Sequence, residues 1–208
     1  MIKLRKLIFK ESIDAPPVIH NVSGGKFSLS FISFIKNLEN NGRYGFKNGK
    51  WYPHVSPEGG LPTIAYGHKL KPGEDYSQGI TDREADKLLE HDLEIAKYKV
   101  VQYHQKWVSD YIKRIKQAYN TPGNKYYEFS NSLTPENQIF KLDEKQIEML
   151  IEFVFNLGSL SKFPKFASAV FRHDWEEAKK EGKRSYSDSS GHRKELTSRN
   201  QSFYSKYL

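Results

Sequence analysis

The chain has 208 residues, 33 Lys and Arg against 25 Asp and Glu, a formal charge of +8 and no cysteine. That length can bury a core of its own, as one domain or as two lobes sharing a long element. The composition excludes a disulfide framework, thiolate chemistry, disorder over the whole length and any run near the ~18 apolar residues of a membrane helix.

Residues 1–27 read as a tail, since Ala15-Pro16-Pro17 and Gly24-Gly25 break any helix. Its start is basic and then mildly apolar, with no small-residue cleavage site after it, which is not the pattern of a secretory signal. A first helix follows. Phe31, Ile32, Phe34, Ile35 and Leu38 recur at helical spacing, Ser28 or Ser30 can cap them, and Asn40-Asn41-Gly42 ends the run. Glu39 therefore stands in a last helical turn, where the dipole disfavours a carboxylate, and locally misplaced charges often belong to sites.

Over 43–70 the character changes. Tyr44, Trp51, Tyr52, Ile64 and Tyr66 alternate with glycines, a hairpin composition, and Pro53, Pro57 and Pro62 keep the strands short. Thr81-Asp82-Arg83-Glu84 is a capping box, after which Ala85, Leu88, Leu89, Leu93 and Ala96 carry a long helix toward Tyr119. Residues 120–141 read as a long polar loop. Asp143 with Gln146 opens a second helical region whose apolar face is Ile147, Leu150, Ile151, Val154, Phe155 and Leu157, stopped by Gly158. Shorter helices around 165–173 and 174–181, a Ser/Gly-rich turn at 187–191 and a last helix from Leu196 or Thr197 to Tyr207 complete the chain. The sum is an α+β fold. It has a small antiparallel-sheet lobe over 28–80, a connecting helix over 81–119, an insertion loop over 120–141 and a mainly helical lobe over 142–208.

Glu39, His54, Glu58, Thr63 and His68 lie close together in this stretch. A glycosidic bond is cut by two groups on opposite sides of the sugar, a carboxylic acid that protonates the leaving oxygen and a second group that activates water or stabilises the oxocarbenium ion. A Glu ending a helix that faces a hairpin can separate them in that way. Seven scattered His without metal-ligand spacing do not make a metal site.

The run Glu39, Tyr52 and Thr63-Ile64-Ala65-Tyr66-Gly67-His68 resembles the phage-type lysozymes typified by the T-even phage endolysin. Three more matches follow in order. The stretch Ile80-Thr81-Asp82-Arg83-Glu84-Ala85 is similar to that family's long-helix start. Phe153-Val154-Phe155-Asn156-Leu157-Gly158 resembles its second-lobe helix end, and Leu196-Thr197-Ser198-Arg199 its late Arg-bearing helix. The resemblance covers roughly residues 30–208, with insertions near 42–50 and 119–141.

What the resemblance implies is a lysozyme-like fold and a muramidase that cleaves bacterial peptidoglycan between N-acetylmuramic acid and N-acetylglucosamine. Glu39 would be the general acid, Thr63 would hold the nucleophilic water, and Arg199 would be the electrostatic partner of Glu39. Tyr66, Phe155 and Asn156 would contact substrate, and His68 would form a structural pair with Asp92. No metal or organic cofactor is needed. The expected setting is the host cytoplasm, with release to the wall through a holin or carriage with the virion, as a monomer without membrane insertion or nucleic-acid partner.

One departure stands out. The family's Tyr-x-Asp is here Tyr52-Pro53-His54, and about three extra residues precede Thr63. Aligned from the Tyr side, His54 replaces the catalytic Asp; counted back from Thr63, Glu58 falls within one residue of it. Either Glu58 supplies the second carboxylate, with His54 binding substrate or orienting it, or there is none. In the latter case the sugar's own N-acetyl or 6-hydroxyl group would act, the second giving lytic transglycosylase chemistry. Two other classes compete. A nucleic-acid module would use the charge and aromatics, but the bases interleave with acids, as in Glu176-Glu177-Ala178-Lys179-Lys180-Glu181, the pattern of a solvated helix face. A catalytically impaired wall-binding or virion protein would explain the altered Asp position.

Overall fold

A computed structural model describes residues 27–55, 62–137, 140–187 and 190–208. Most of the expected tail over 1–27, Glu58 and the middle of the 187–191 turn lie outside the described residues. Among the described residues the chain divides into two units, 27–96 and 97–208.

The first unit starts with helix α1, Leu29–Asn40, capped by Ser28, whose Oγ accepts from the Phe31 amide at 3.1 Å. Phe31 and Ile35 are its fully buried side chains. Strands β1, Phe46–Lys47, and β2, Lys50–Trp51, form a hairpin with Phe46 opposite Trp51. Its two-residue loop is Asn48-Gly49, with φ of 50° and 77°, the left-handed pair that a type I′ turn requires. Strands β3, His54–Val55, β4, Pro62–Ile64, and β5, His68–Lys69, make a second antiparallel sheet in that order. Its register sets His54 opposite Thr63 and Ile64 opposite His68.

Trp51 is the hub of this unit. It is fully buried, exchanges two backbone hydrogen bonds with Ile80, and its indole Nε1 donates to Asp82 Oδ1 at 2.7 Å. Arg43 Nη2 reaches both oxygens of the same Asp82 and lies over the Phe46 and Trp51 rings.

Helix α2, Asp82–Ala118, runs unbroken for 37 residues. At its start the Thr81 amide donates to Glu84 Oε2 at 2.8 Å and the Glu84 amide to Thr81 Oγ1 at 3.3 Å, the reciprocal capping box. Its residues to Ala96 belong to the first unit and those from Lys97 to the second.

Apolar packing in the second unit begins at the C-terminal part of α2. Val108, Tyr111, Ile112 and Ile115 of α2 pack with Leu133 and Phe140, so the stretch after α2 is not the polar loop expected for 120–141. It contains helix α3, Tyr127–Ser132, and sends Leu133 and Phe140 inward. Hydrophobic burial organises it where local polarity predicted none.

Further packing centres on helix α4, Glu144–Leu157, opened by the Asp143/Gln146 capping box and closed by Gly158 at φ 84°. Its buried face is Met149, Leu150, Ile151, Phe153 and Val154, turned from the expected one, because Phe155 and Leu157 keep partial exposure. Phe153 stacks on Phe166 with centroids 4.0 Å apart, and Phe203 closes the group. These last two residues come from helix α5, Pro164–Phe171, and helix α7, Thr197–Tyr207. Helix α6, Trp175–Glu181, lies between them in sequence. The turn expected at 187–191 joins two strands that the composition had not indicated, β6, Ser185–Ser187, and β7, Arg193–Glu195.

Candidate active site

Glu39 occupies the last turn of α1, and the next residue holds that turn in place. The buried Asn40 side chain donates from Nδ2 to the Ala65 carbonyl at 2.7 Å and to the Tyr44 carbonyl at 3.0 Å, while its Oδ1 accepts from the Tyr44 amide at 2.8 Å. A single amide thus satisfies three backbone groups and ties the helix end to the β4–β5 turn. In that turn Ala65 and Gly67 have φ of 54° and 88°. The Glu39 Oε2 atom stands 3.5 Å from the point a Cβ on Gly67 would occupy. Residue 67 carries no side chain, and the carboxylate lies directly against the bare turn.

The same hairpin carries Thr63, whose side chain is buried and whose Oγ1 lies 3.4 Å from the His54 carbonyl oxygen on the facing strand. His54 is half-buried, with Nδ1 3.4 Å from the Tyr52 carbonyl oxygen. A Cβ at Gly45, where φ is 81°, would fall 2.5 Å from that same Nδ1, so the ring packs closely on glycine backbone. Tyr66 turns into the core of its unit instead of standing free. It is 8% exposed, its ring centroid is 5.1 Å from that of Trp51, and Lys36 Nζ lies 5.1 Å from its centroid on the Tyr66 face. Burial pushes its phenol pKa up.

His68 sits between two carboxylates, with Nδ1 2.7 Å from Asp92 Oδ2 and Nε2 3.1 Å from Glu74 Oε2. All three residues fall in the first unit. Glu74, which the sequence reading did not single out, also accepts from the Lys71 amide, and that bond together with His68 holds its carboxyl below the usual range.

Phe155, Asn156 and Arg199 belong to the second unit. There Arg199 Nη2 donates to Glu152 Oε1 at 3.0 Å, and Arg184 Nη1 donates to the same oxygen at 2.8 Å and to Asn156 Oδ1 at 3.3 Å. Glu152 and Arg184 are fully buried. Sequence reading passed over both, though a signal was present: Glu152 interrupts the run Met149-Leu150-Ile151-Glu152-Phe153-Val154 on a helix buried on most sides. A carboxylate in such a place needs a buried cation.

Among the described residues no helix is long and apolar enough to cross a membrane, and no group of three or more His, Cys, Asp or Glu could hold a metal ion. In a comparison with solved structures, the muramidase domain of SpmX from Asticaccaulis excentricus is similar at 19% identity with a TM-score of 0.48, the match covering 88% of this chain and 97% of that one. Comparison with curated proteins finds no match. The family model described as phage lysozyme matches residues 47–202, a span that holds His54, Thr63, Tyr66, His68, Asp92, Phe155, Asn156 and Arg199 and begins after Glu39. Matched over most of its length, the chain belongs to the phage lysozyme family.

Proposed function

We propose that this chain is an N-acetylmuramidase that hydrolyses the β-1,4 bond from N-acetylmuramic acid to N-acetylglucosamine in peptidoglycan, with Glu39 as general acid. Membership of the phage lysozyme family supports a glycosidase acting on peptidoglycan. The observation that carries the finer reading is the seating of Glu39 on the side-chain-free turn at Gly67, pinned by Asn40. A general acid must be held rigidly at the leaving oxygen, and a helix end tied to a strand turn through a buried amide does that.

Thr63, on the same hairpin, is assigned the attacking water, with His54 opposite it across the sheet. In an inverting hydrolase the second carboxylate stands far enough from the acid to admit that water, and Glu58 is assigned this role. His54 then orients substrate or Glu58. Tyr66, packed on Trp51, braces its own unit, Phe155 and Asn156 are assigned to glycan contact, and Arg199 is bonded to Glu152. The biological setting assigned is host-cell lysis after holin-type release, or carriage with the virion.

The test is clearance of purified cell wall by the Glu39→Gln and Glu58→Gln variants, with mass spectrometry of the muropeptides from the unaltered protein. Loss of about 10²-fold or more in rate for Glu39→Gln is expected, with hydrated reducing ends as the products. Retained activity in that variant overturns the assignment of the acid. Retained activity in Glu58→Gln together with 1,6-anhydro ends replaces hydrolysis by transglycosylation.

A further inference from the structure

We infer that the second unit carries a separate binding groove for an acidic saccharide, a sugar unit bearing a carboxylate or phosphate group. The groove is open, has a volume of about 650 Å³, and lies between the C-terminal third of α2 and the end of α3 with the segment that follows it. This volume is within the range of small-ligand sites. On α2 its lining residues recur at three- and four-residue intervals, from Ser109 to Gln117, so one continuous face of the helix forms a wall, with Asn120 just past the helix end.

The chemistry of the lining is specific. Ile112 and Leu133 belong to the buried cluster behind the groove and close its floor. The amides of Gln117, Asn120 and Asn131 and the hydroxyls of Ser109 and Thr134 can each donate and accept, as pairing with sugar hydroxyls requires. Lys113 and Lys116 add two ammonium groups, and no acidic residue is in the lining. The carboxylate that faces Lys113 from its own helix is Asp110, and Lys106 already holds it at 2.8 Å.

Other partners fit less well. The lining has no aromatic ring on which the bases of a single strand could stack. It also lacks the Tyr, Trp and Arg that dominate protein interfaces. The α2 carbonyls at this end oppose an anion and offset part of the lysine charge, so the affinity expected is weak. The inference does not depend on Glu39 being the acid.

The test is a titration of the full chain carrying Glu39→Gln, followed by amide NMR, with four probes: N-acetylmuramic acid, glucose 6-phosphate, N-acetylglucosamine and inorganic phosphate. Shifts at 109–120 and 131–135 are expected with the first two. The neutral sugar and the bare ion should bind at least about fivefold more weakly, and salt should weaken the acidic sugars. The Lys113→Glu, Lys116→Glu double variant, shown folded by its unchanged remaining spectrum, should lose the response. Equal binding of N-acetylglucosamine, equal binding of phosphate, or silence at these amides each overturns the inference. Because the readout is binding at named amides, its failure leaves the role of Glu39 standing, and retained activity in Glu39→Gln leaves the groove standing.

Discussion

Asn40 closes α1 without the glycine that ends many helices, since its C-cap, Asn41, remains in the right-handed region. The closing is done by a side chain that replaces water at the Ala65 and Tyr44 carbonyls. Asn40→Leu keeps the volume and removes all three bonds, leaving buried backbone groups unpaired at a cost of about 1–3 kcal/mol. Urea unfolding should register that loss, and wall clearance should fall further than stability explains, because Glu39 loses its anchor. Stability falling with clearance unchanged per folded molecule would separate Asn40 from the acid.

His104 makes a different prediction. Its ring is buried against Phe171 at a centroid distance of 4.8 Å, and Nε2 has no hydrogen-bond partner among the described residues. Burial pushes its pKa down to about 3. Unfolded, the imidazole titrates near its ordinary value of about 6.5. Between those two values the unfolded chain binds a proton that the folded chain refuses, so stability rises with pH. It is complete above about 6.5 and falls at roughly 1.4 kcal/mol per pH unit below it. Urea midpoints from about pH 7 to about pH 4 should show this slope, and His104→Leu should flatten it. An unchanged slope in the variant assigns the acid sensitivity to other groups.

At the level of elements, the ends are chemically specified and the lengths follow from them. Thr81 with Glu84, and Asp143 with Gln146, are reciprocal caps with both halves formed. Asp143→Ala removes the acceptor of the Gln146 amide and should cost about 1 kcal/mol in urea unfolding, within the usual range for a cap. No measurable change would mean that packing of the α4 face alone holds that end. Such caps and the Asn48-Gly49 turn act over three or four residues, so the sequence displays them. The stretch after α2 shows the opposite case. Its polar composition reads as loop, yet Leu133 and Phe140 find Val108, Tyr111 and Ile112, residues well back along the chain. The β6–β7 hairpin was missed for a related reason, since Arg193-Lys194-Glu195 is exposed throughout and shows no alternation for a pattern to reveal.

Across the whole molecule, the most demanding feature is the charge placed in the core of the second unit. Glu152 Oε1 accepts from both Arg184 and Arg199, and Arg184 also lies over the Phe153 and Phe203 rings. Glu152→Gln keeps the shape but leaves the Arg184 guanidinium without its carboxylate, which should cost about 3–5 kcal/mol. Calorimetry should show the melting temperature falling by more than any cap variant produces. A change under about 1 kcal/mol would show that water or the aromatic rings already neutralise Arg184.

The sequence by itself determined the α+β class, the helix caps, the place of Glu39 in a last turn and the order of motifs that marks the family. Each depends on neighbours a few residues away, where backbone geometry leaves few choices. Only the tertiary structure decided that Asn40 fastens that turn to Ala65, that Tyr66 is covered, that His68 has Glu74 as well as Asp92, and that Glu152 binds two arginines. Those choices depend on burial, because an amide, a ring or a carboxylate removed from water must find a partner wherever the fold brings one, at any distance along the chain.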